Sequence, residues 1–136
     1  MAVDHSGLDR VYRGYIAALN ERRFDDLGRF VHDELTYNGE SWTRERYRSL
    51  LADDVRRIPD LHYDVQVLVV SADHVAARLW FDCSPRDEFL GIDVRGRRVV
   101  FAEHVIYRFR EGRIEDVWSL IDTDGMRAQL ADRGRQ

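Results

Sequence analysis

Apolar residues recur every three or four positions through the first part of the chain, which is the period of one face of an α-helix. This spacing predicts a helix at residues 8–19, a short helix at 24–31 and a third helix at 47–55. Thr43 stands where it can cap the third helix, and Pro59 follows the end of that helix. The chain is therefore predicted to begin with three helices.

After Asp60 the apolar residues alternate with polar ones, which is the period of a β-strand. The alternation, together with many β-branched and aromatic residues, predicts four strands at residues 61–70, 74–83, 98–110 and 113–121. Residues 123–133 are predicted to form a last helical turn or two. Helices followed by antiparallel strands indicate an α+β domain, in which three helices on a curved sheet would enclose a cone-shaped cavity.

The last two predicted strands are joined by a short loop with a glycine at its third position, which suits a three-residue hairpin loop. Such a loop pairs Phe109 with Arg113 and places Glu103 directly opposite Ser119. A two-residue loop would shift the register by one residue and place His104 opposite Ser119 instead. The register therefore decides which of these two side chains shares a face with Ser119.

Side chains alternate along a strand, so this hairpin carries polar residues on both of its faces. In the first register one face holds Glu103, Tyr107 and Ser119, and the other holds His104, Trp118 and Asp122. Both faces are otherwise apolar, so each is expected to cover a core, a ligand or another subunit. The outer apolar face predicts a homodimer formed through the sheet.

Glu103 most needs a partner or a role, because an unpaired charge inside an apolar strand is costly to bury. The carboxyl group must be paired, protonated or functional, and Arg78 is a candidate to neutralise it. The alternative for His104 is a core or interface histidine that hydrogen-bonds a neighbour. The alternative for Asp122 is a cap at the start of the terminal helix.

The composition is that of a small acidic domain without lysine. The 136 residues fit one domain, and 44% hydrophobic residues can build a sizeable core. All 21 basic residues are arginines, which excludes Schiff-base catalysis and a phosphate-loop lysine. The formal net charge is −4, so no nucleic-acid partner is expected. With Cys83 as the single cysteine and no long apolar run, we expect a cytoplasmic protein without a membrane span.

Motifs for the common nucleotide, zinc-protease and serine-hydrolase sites are absent. The chain has no GxGxxG, GxxxxGK[ST], HExxH or GxSxG. The five histidines never fall in pairs at metal-ligand spacing, so neither a metal ion nor another cofactor is expected. The isolated acid Glu103 with nearby hydroxyl groups is instead the minimum set for proton abstraction next to a carbonyl.

From about Leu8 to Leu130 the chain resembles SnoaL-like proteins of the NTF2-like superfamily, which includes polyketide cyclases, epoxide hydrolases and ketosteroid isomerases. The segments that carry the resemblance are YIAALNERRFDDL (15–27), FVHDELTYNGE (30–40), IPDLHYDVQVL (58–68), FLGIDVRGRRV (89–99) and YRFREGRIEDVWSLID (107–122). The resemblance implies a single SnoaL-like domain over residues 1–136. It also implies a cone-shaped, barrel-like fold with a curved sheet around three N-terminal helices and a deep pocket.

The resemblance assigns roles to individual positions. Tyr15 falls where the steroid isomerases place an oxyanion-hole tyrosine, and Tyr37 falls where epoxide hydrolases keep a water-positioning tyrosine. Ser119 occupies the position of the acid/base aspartate of the cyclases and epoxide hydrolases. Val105 replaces a histidine or aspartic acid, and Glu103 falls where the polyketide cyclase has a pocket glutamine. The family's mechanisms therefore do not transfer unchanged.

Together these observations predict a cofactor-independent enzyme for cyclisation, isomerisation or epoxide opening of a largely apolar, polyketide- or terpenoid-like molecule. The candidate catalytic residues are Glu103, Ser119, Tyr15, Tyr37, His104 and Asp122. The candidate substrate-binding residues are Tyr107, Trp42, Phe101, Val105, Phe81 and Cys83. The alternative is a non-catalytic ligand-binding or dimerisation module, which the loss of the family's aspartate at position 119 favours.

Overall fold

The structure of the chain is a computed structural model that describes residues 5–134. The helical segments are α1 (His5–Asn20), a 3-10 helix (Phe24–Arg29), α2 (Arg44–Arg57) and α3 (Thr123–Gly134). The strands are β1 (Val31–Tyr37), β2 (Glu40–Thr43), β3 (Asp64–Val70), β4 (His74–Cys83), β5 (Glu88–Phe89), β6 (Ile92–Asp93), β7 (Val99–Arg110) and β8 (Arg113–Ile121). None of the helices in this range is long and apolar enough to cross a membrane.

Six strands form one curved sheet in the order β2-β1-β8-β7-β4-β3, and β5 and β6 form a separate small hairpin. The pairs are antiparallel except for β1 and β8, which run parallel, so the sheet is mixed. The sheet does not close, because β2 and β3 stay at its two edges. The predicted α+β class is confirmed, and the fold is the open, cone-like arrangement that the resemblance implied.

The helices α1 and α2 cover one face of the sheet, here called the inner face. The apolar stripe of α1 is buried, with Tyr12 and Tyr15 almost fully enclosed, and the helix packs against β3 and β4. The helix α2 packs against β1 and β2, and its first turn is capped by Thr43, whose side-chain oxygen accepts the backbone N–H of Arg46 at 3.1 Å. This cap fixes the start of the helix that brings Tyr47 to the sheet.

The region predicted as a second helix is divided between two elements. Residues 24–29 form a 3-10 helix, and Val31 begins strand β1 instead of ending a helix. Val31 is fully buried and lies beside Ile114 of β8 in the parallel pair. This parallel partner is distant in sequence, but β1 also pairs with the neighbouring β2 across the two-residue Asn38-Gly39 turn, a local hairpin signal that apolar spacing does not include.

The two ends of the predicted strand region also differ from the structure. The first of these strands begins at Asp64 and not at residue 61. The tail forms the 12-residue helix α3, which is longer than the one or two turns predicted. This helix is anchored by the buried Met126 and by Gln129, whose side chain pairs with the backbone N–H of Val100 at 2.9 Å and its carbonyl oxygen at 2.5 Å.

The hairpin between β7 and β8 has a two-residue loop, so the predicted three-residue loop is wrong. Arg110 pairs with Arg113, and the loop residues Glu111 and Gly112 have φ angles of 52° and 76°. Two consecutive residues with positive φ form the tight turn whose twist matches that of the flanking strands. The sequence Glu-Gly fits this turn because glycine adopts positive φ without strain.

A β-bulge follows this turn, so the side chains of β8 beyond it lie on the same faces of the sheet that the three-residue loop predicts. Glu115 of β8 is left without a directly opposite residue, and the register shifts there by one position. Together with the shorter loop, the total shift is two residues, so Glu103 lies opposite Ile121 and Val105 lies opposite Ser119. The predicted pairing of Glu103 with Ser119 is wrong, but both side chains stay on the inner face as diagonal neighbours.

Candidate active site

A cavity of about 100 Å³ lies between the inner face of the sheet and the helices α1 and α2. Five of the six tyrosines of the chain line it, together with aliphatic side chains, Phe89, Asp54 and Glu103. These tyrosines are Tyr15, Tyr37, Tyr47, Tyr63 and Tyr107. No arginine is among the described lining residues, so the cavity combines hydroxyl donors and two carboxyl groups in apolar surroundings.

Glu103 lies on the sheet wall of this cavity and is partly buried. The hydroxyl of Ser119 donates a hydrogen bond to its Oε2 atom. Burial raises the pKa of Glu103 because it disfavours the charged form, and the Ser119 hydrogen bond opposes this by favouring that form. The Glu103 carboxyl is therefore a stronger base than an exposed glutamate.

Arg78 does not neutralise Glu103, because its side chain lies on the opposite, outer face of the sheet. Its guanidinium donates to the side-chain oxygen of Gln66 at 2.5 Å and to Nε2 of His104 at 2.6 Å. His104 is exposed on that outer face and pairs with Leu120 in the hairpin register. The structure therefore does not bring His104 together with Glu103.

Asp54 is a second carboxyl group in the cavity that the sequence analysis missed. It lies on α2, partly buried, on the wall that faces the sheet. Burial, and secondarily the charge of Glu103, raise the pKa of Asp54 to about 7. A signal for it was present: Asp54 follows Tyr47 by seven residues and Leu51 by three, which places an acid on the apolar stripe of a helix.

Two pairs of buried phenols lie at the cavity, one between α1 and α2 and one between α1 and strand β7. The hydroxyl oxygens of Tyr15 and Tyr47 are 2.6 Å apart, and the hydroxyl of Tyr12 lies 3.5 Å from that of Tyr107. Burial raises the pKa of all four phenols, so they stay protonated and act as hydrogen-bond donors. Tyr47 was predicted only as a residue of the helix face and emerges here as a partner of Tyr15.

Tyr37 lies on the rim of this group of phenols and connects the cavity to Trp42. Its ring stacks on that of Trp42 with a centroid distance of 4.5 Å, and its hydroxyl lies close enough to Ser119 for the serine to lower its pKa, although burial raises that pKa more. Trp42 packs behind Tyr37, with the guanidinium of Arg46 over its ring at 3.9 Å, and is not among the lining residues. Trp42 therefore supports the position of a lining residue.

The remaining predicted binding residues of the inner face divide between the cavity and the core. Val105 lines the cavity. Phe81 and Phe101 stack on each other with a centroid distance of 5.1 Å, and both are buried without lining the cavity. Cys83 is also buried in this core, and burial raises the pKa of its thiol to about 12, so it stays protonated.

Asp122 caps α3 and does not face the cavity. Its Oδ1 atom accepts the backbone N–H of Gly125 at 2.9 Å, and the residue is exposed. The structure therefore gives Asp122 the capping role that the sequence analysis left open as the alternative to catalysis.

A larger concavity of about 820 Å³ runs along β1 and β2 and the neighbouring ends of β7 and β8. Its charged side chains bind one another: Nε of Arg108 is 2.6 Å from Oδ2 of Asp116, and Thr36 donates to Asp116. Several of its charged groups are thus paired with each other, whereas among the described residues the carboxyl group of Asp54 in the smaller cavity has no hydrogen-bond or ion-pair partner. The described residues contain no group of three or more His, Cys, Asp or Glu side chains that could hold a metal ion.

Comparisons with known proteins agree on one family. The family model of SnoaL-like polyketide cyclases matches residues 9–130. The crystal structure of a SnoaL-like polyketide cyclase from Agrobacterium tumefaciens is 41% identical in sequence, with 96% of this chain and 99% of that chain covered and a TM-score of 0.89. A comparison with curated proteins gave no match.

Two further solved structures share the fold. IdmH from Streptomyces antibioticus is 24% identical, covering 91% of this chain and 98% of that chain, with a TM-score of 0.79. TsrD from Streptomyces laurentii is also 24% identical, covering 95% of this chain and 98% of that chain, with a TM-score of 0.83. At this identity the likeness extends to the fold alone.

The raised pKa of Asp54 predicts how the stability of the protein depends on pH. An aspartate titrates near 4 in an unfolded chain, so between pH 4 and 7 the folded state holds this proton more tightly, and its free energy of unfolding falls as pH rises. Asp54→Asn removes this decrease. Urea denaturation at several pH values should show the variant gaining stability relative to the wild type from pH 4.5 to 7.5.

The neighbouring Asp53 gives a control with the opposite sign. Arg57 lowers the pKa of Asp53, so its stabilising contribution is present at neutral pH and lost on acidification. Asp53→Asn should therefore lower stability at pH 7.5 and have less effect at low pH. A stability difference between wild type and Asp54→Asn that stays constant with pH would contradict the burial of the Asp54 carboxyl.

Proposed function

We propose that this chain, which belongs to the family of SnoaL-like polyketide cyclases, is a cofactor-independent enzyme that closes a ring in a largely apolar carbonyl compound by acid/base chemistry. The observation that carries the proposal is the carboxyl group of Glu103 in an apolar cavity lined by phenols. Burial raises its pKa, and its hydrogen-bond partner is the neutral hydroxyl of Ser119. A carboxylate in such surroundings is suited to act as a general base.

The contact between Ser119 and Glu103 supports the proposal that the catalytic base of this chain is on β7, whereas the base of its relatives is on β8. By resemblance, position 119 on β8 belongs to the family's acid/base aspartate, and here it holds a serine whose hydroxyl contacts the carboxyl group of Glu103 on β7. The carboxyl group is thus retained in the same part of the cavity but attached to the neighbouring strand. Ser119 orients it and stabilises its charged form.

In the proposed first step Glu103 removes a proton from the carbon next to a carbonyl group. The electron pair of the broken C–H bond forms the enolate, and the negative charge develops on the carbonyl oxygen. The paired phenols of Tyr15 and Tyr47 lie on the opposite, helical wall and have one hydroxyl proton left to donate after bonding each other. This proton stabilises the enolate oxygen, because buried donors that are already oriented need no reorganisation.

The lining of the cavity defines the class of substrate. Without an arginine in its described lining, the cavity cannot neutralise an anionic ligand, and its two carboxyl groups repel one. A volume of about 100 Å³ is smaller than typical ligand pockets of several hundred Å³, so it accommodates no more than about one six-membered ring. A larger polyketide-like substrate requires the β5–β6 hairpin, which contributes Phe89 and the half-exposed Leu90, to move outward.

We also propose that two copies of the chain associate through the outer face of the sheet. Large apolar side chains stand exposed there on β3, β7 and β8, with exposed fractions of 50% for Val67, 60% for Val69, 46% for Ile106, 41% for Trp118 and 75% for Leu120. A contiguous apolar surface on a sheet is unusual for a monomer. A second copy of the same face would cover it by two-fold symmetry.

Proton abstraction by Glu103 can be tested with a small ketone before the natural substrate is known. Cyclohexanone, a neutral six-membered ring, should exchange its α-protons for deuterium in D₂O faster with the protein than without it. Glu103→Gln should lower this enzymatic rate by about 100-fold or more, because it removes the base but keeps the side-chain size. Proton NMR of the ketone measures the rate directly.

The control for this experiment is Glu111→Gln, which removes an exposed carboxyl group in the β7–β8 loop and should leave the exchange rate unchanged. A Glu103→Gln variant that exchanges as fast as the wild type shows that Glu103 is not the base. A wild-type protein that binds cyclohexanone but does not accelerate exchange supports the alternative of a non-catalytic ligand-binding module.

The proposed dimer predicts the effect of a charge on the outer face. Trp118→Glu should give monomers in sedimentation experiments at micromolar concentration, because the new carboxylate would be buried without a partner in the interface. Glu111→Gln serves again as the surface control and should remain dimeric. A wild-type protein that sediments as a monomer under the same conditions would rule out the proposed dimer.

A further inference from the structure

Two adjacent aspartates on α2 have different surroundings. The carboxylate of Asp53 accepts hydrogen bonds from Arg56 at 2.7 Å and from Arg57 at 2.9 Å, which are ordinary surface ion pairs. Asp54 is turned by about 100° around the helix and faces the cavity. Its carboxyl group forms no hydrogen bond or ion pair with any side chain in the described part of the chain.

A structural acid inside a protein is normally held by a partner, because an unpaired carboxylate in apolar surroundings is costly. Asp54 instead lies among Leu50, Leu51 and Phe89 and faces the wall that carries Glu103. At this position on the apolar side of α2, a leucine would pack better than an aspartate does. This arrangement is typical of a group retained for its proton.

The titratable groups that face Asp54 come from several elements. Glu103 of β7 approaches it from the sheet, and Tyr37 of β1 and Tyr63 of the segment before β3 lie close enough to interact electrostatically with it. Arg57 on its own helix is the nearby cation, and its guanidinium is bound to Asp53. Two carboxyl groups in one apolar cavity favour a state in which one is protonated while the other is ionised.

We propose that Asp54 is the general acid of the reaction in which Glu103 is the base. This inference rests on the proposed function and adds the group that protonates the oxygen on which charge accumulates as the ring closes. The two carboxyl groups lie on different walls of the cavity, so the substrate between them can lose a proton to one and receive a proton from the other.

The complete step balances without any added reactant. The α-proton moves to the Glu103 carboxylate, and the electron pair of that C–H bond forms the new carbon–carbon bond to a second carbonyl carbon. The π electrons of this second carbonyl move to its oxygen, which takes the proton of Asp54. Glu103 then returns its proton to Asp54 through solvent, so that nothing is oxidised or reduced.

The buried phenols cannot replace Asp54 in this role. Burial raises the pKa of Tyr15, Tyr47 and Tyr107 well above that of a free phenol, so they donate hydrogen bonds but do not release protons at neutral pH. The pKa of Asp54 of about 7 is suited to proton transfer near physiological pH. The phenols therefore stabilise the enolate oxygen of the first carbonyl group, and Asp54 supplies the proton that converts the oxygen of the second carbonyl group into the hydroxyl group of the product.

Two small ketones separate the two roles. Deuterium exchange of cyclohexanone needs only the base and the hydrogen-bond donors. Closure of 2,6-heptanedione to 3-hydroxy-3-methylcyclohexanone also needs protonation of the new alkoxide. Asp54→Asn should lower the rate of diketone closure about 100-fold more than it lowers the rate of cyclohexanone exchange. The ring-closure rate of the wild type should fall at alkaline pH as Asp54 ionises, and this fall should be absent in Asp54→Asn.

The matched control is Asp53→Asn, which should leave both reactions unchanged. The proposal is overturned if Asp54→Asn closes the ring at the wild-type rate, if it loses exchange and closure equally, or if the wild type exchanges cyclohexanone but does not close the diketone. In these cases the role of Glu103 still stands as long as Glu103→Gln abolishes exchange. A wild type that exchanges nothing contradicts the proposed function itself. Circular dichroism confirms that each variant is folded.

Discussion

The burial of one carboxyl group on an apolar sheet is the constraint on which the rest of the site depends. Glu103 lies on the inner face of β7, where moving an ionised carboxylate from water costs several kcal/mol unless other groups compensate. The hydroxyl of Ser119 compensates in part by donating to the carboxylate. Arg78, the nearest cation by register on the adjacent strand, points to the opposite face. The carboxyl group therefore keeps a raised pKa and remains a base.

The pKa of Glu103 stays raised because the described positive charges of the protein lie outside the cavity. The chain carries 21 arginines, yet the described lining of the cavity contains none, and arginines such as Arg57 and Arg108 bind surface carboxylates instead. The cavity is left with phenols and two carboxyl groups, which donate hydrogen bonds and exchange protons but provide no fixed positive charge. Such a site suits the neutral carbonyl substrate that we propose, in which charge appears only during the reaction.

Sequence periodicity predicted the helices and strands that have a regular apolar face. It failed where strand pairing or an irregular backbone determines the structure. The helices α1 and α2 and strands β4, β7 and β8 follow from spacing alone, whereas β1 pairs irregularly with a parallel strand far along the chain and forms a hairpin with the short β2. The bulge at Glu115 could not be predicted, yet strand parity still placed Glu103 and Ser119 on one face. Parity gives the face of a side chain but not its depth, so Phe101 was grouped with the cavity although it lies in the core. Asp54 was not predicted, because helical periodicity places it on the apolar side of α2 but does not show that this side borders a cavity.

The ionisation of Glu103 in the free protein tests the central claim most directly. Protein labelled with ¹³C at the glutamate side-chain carboxyl groups can be titrated by NMR, and the resonance that is absent in Glu103→Gln identifies this residue. The account predicts that this resonance titrates above the range of ordinary glutamates, and higher still in Ser119→Ala, which removes the hydrogen bond to the charged form. A resonance that titrates at or below the pKa of an exposed glutamate would contradict the account, because such a carboxylate would be too weak a base for the proposed chemistry.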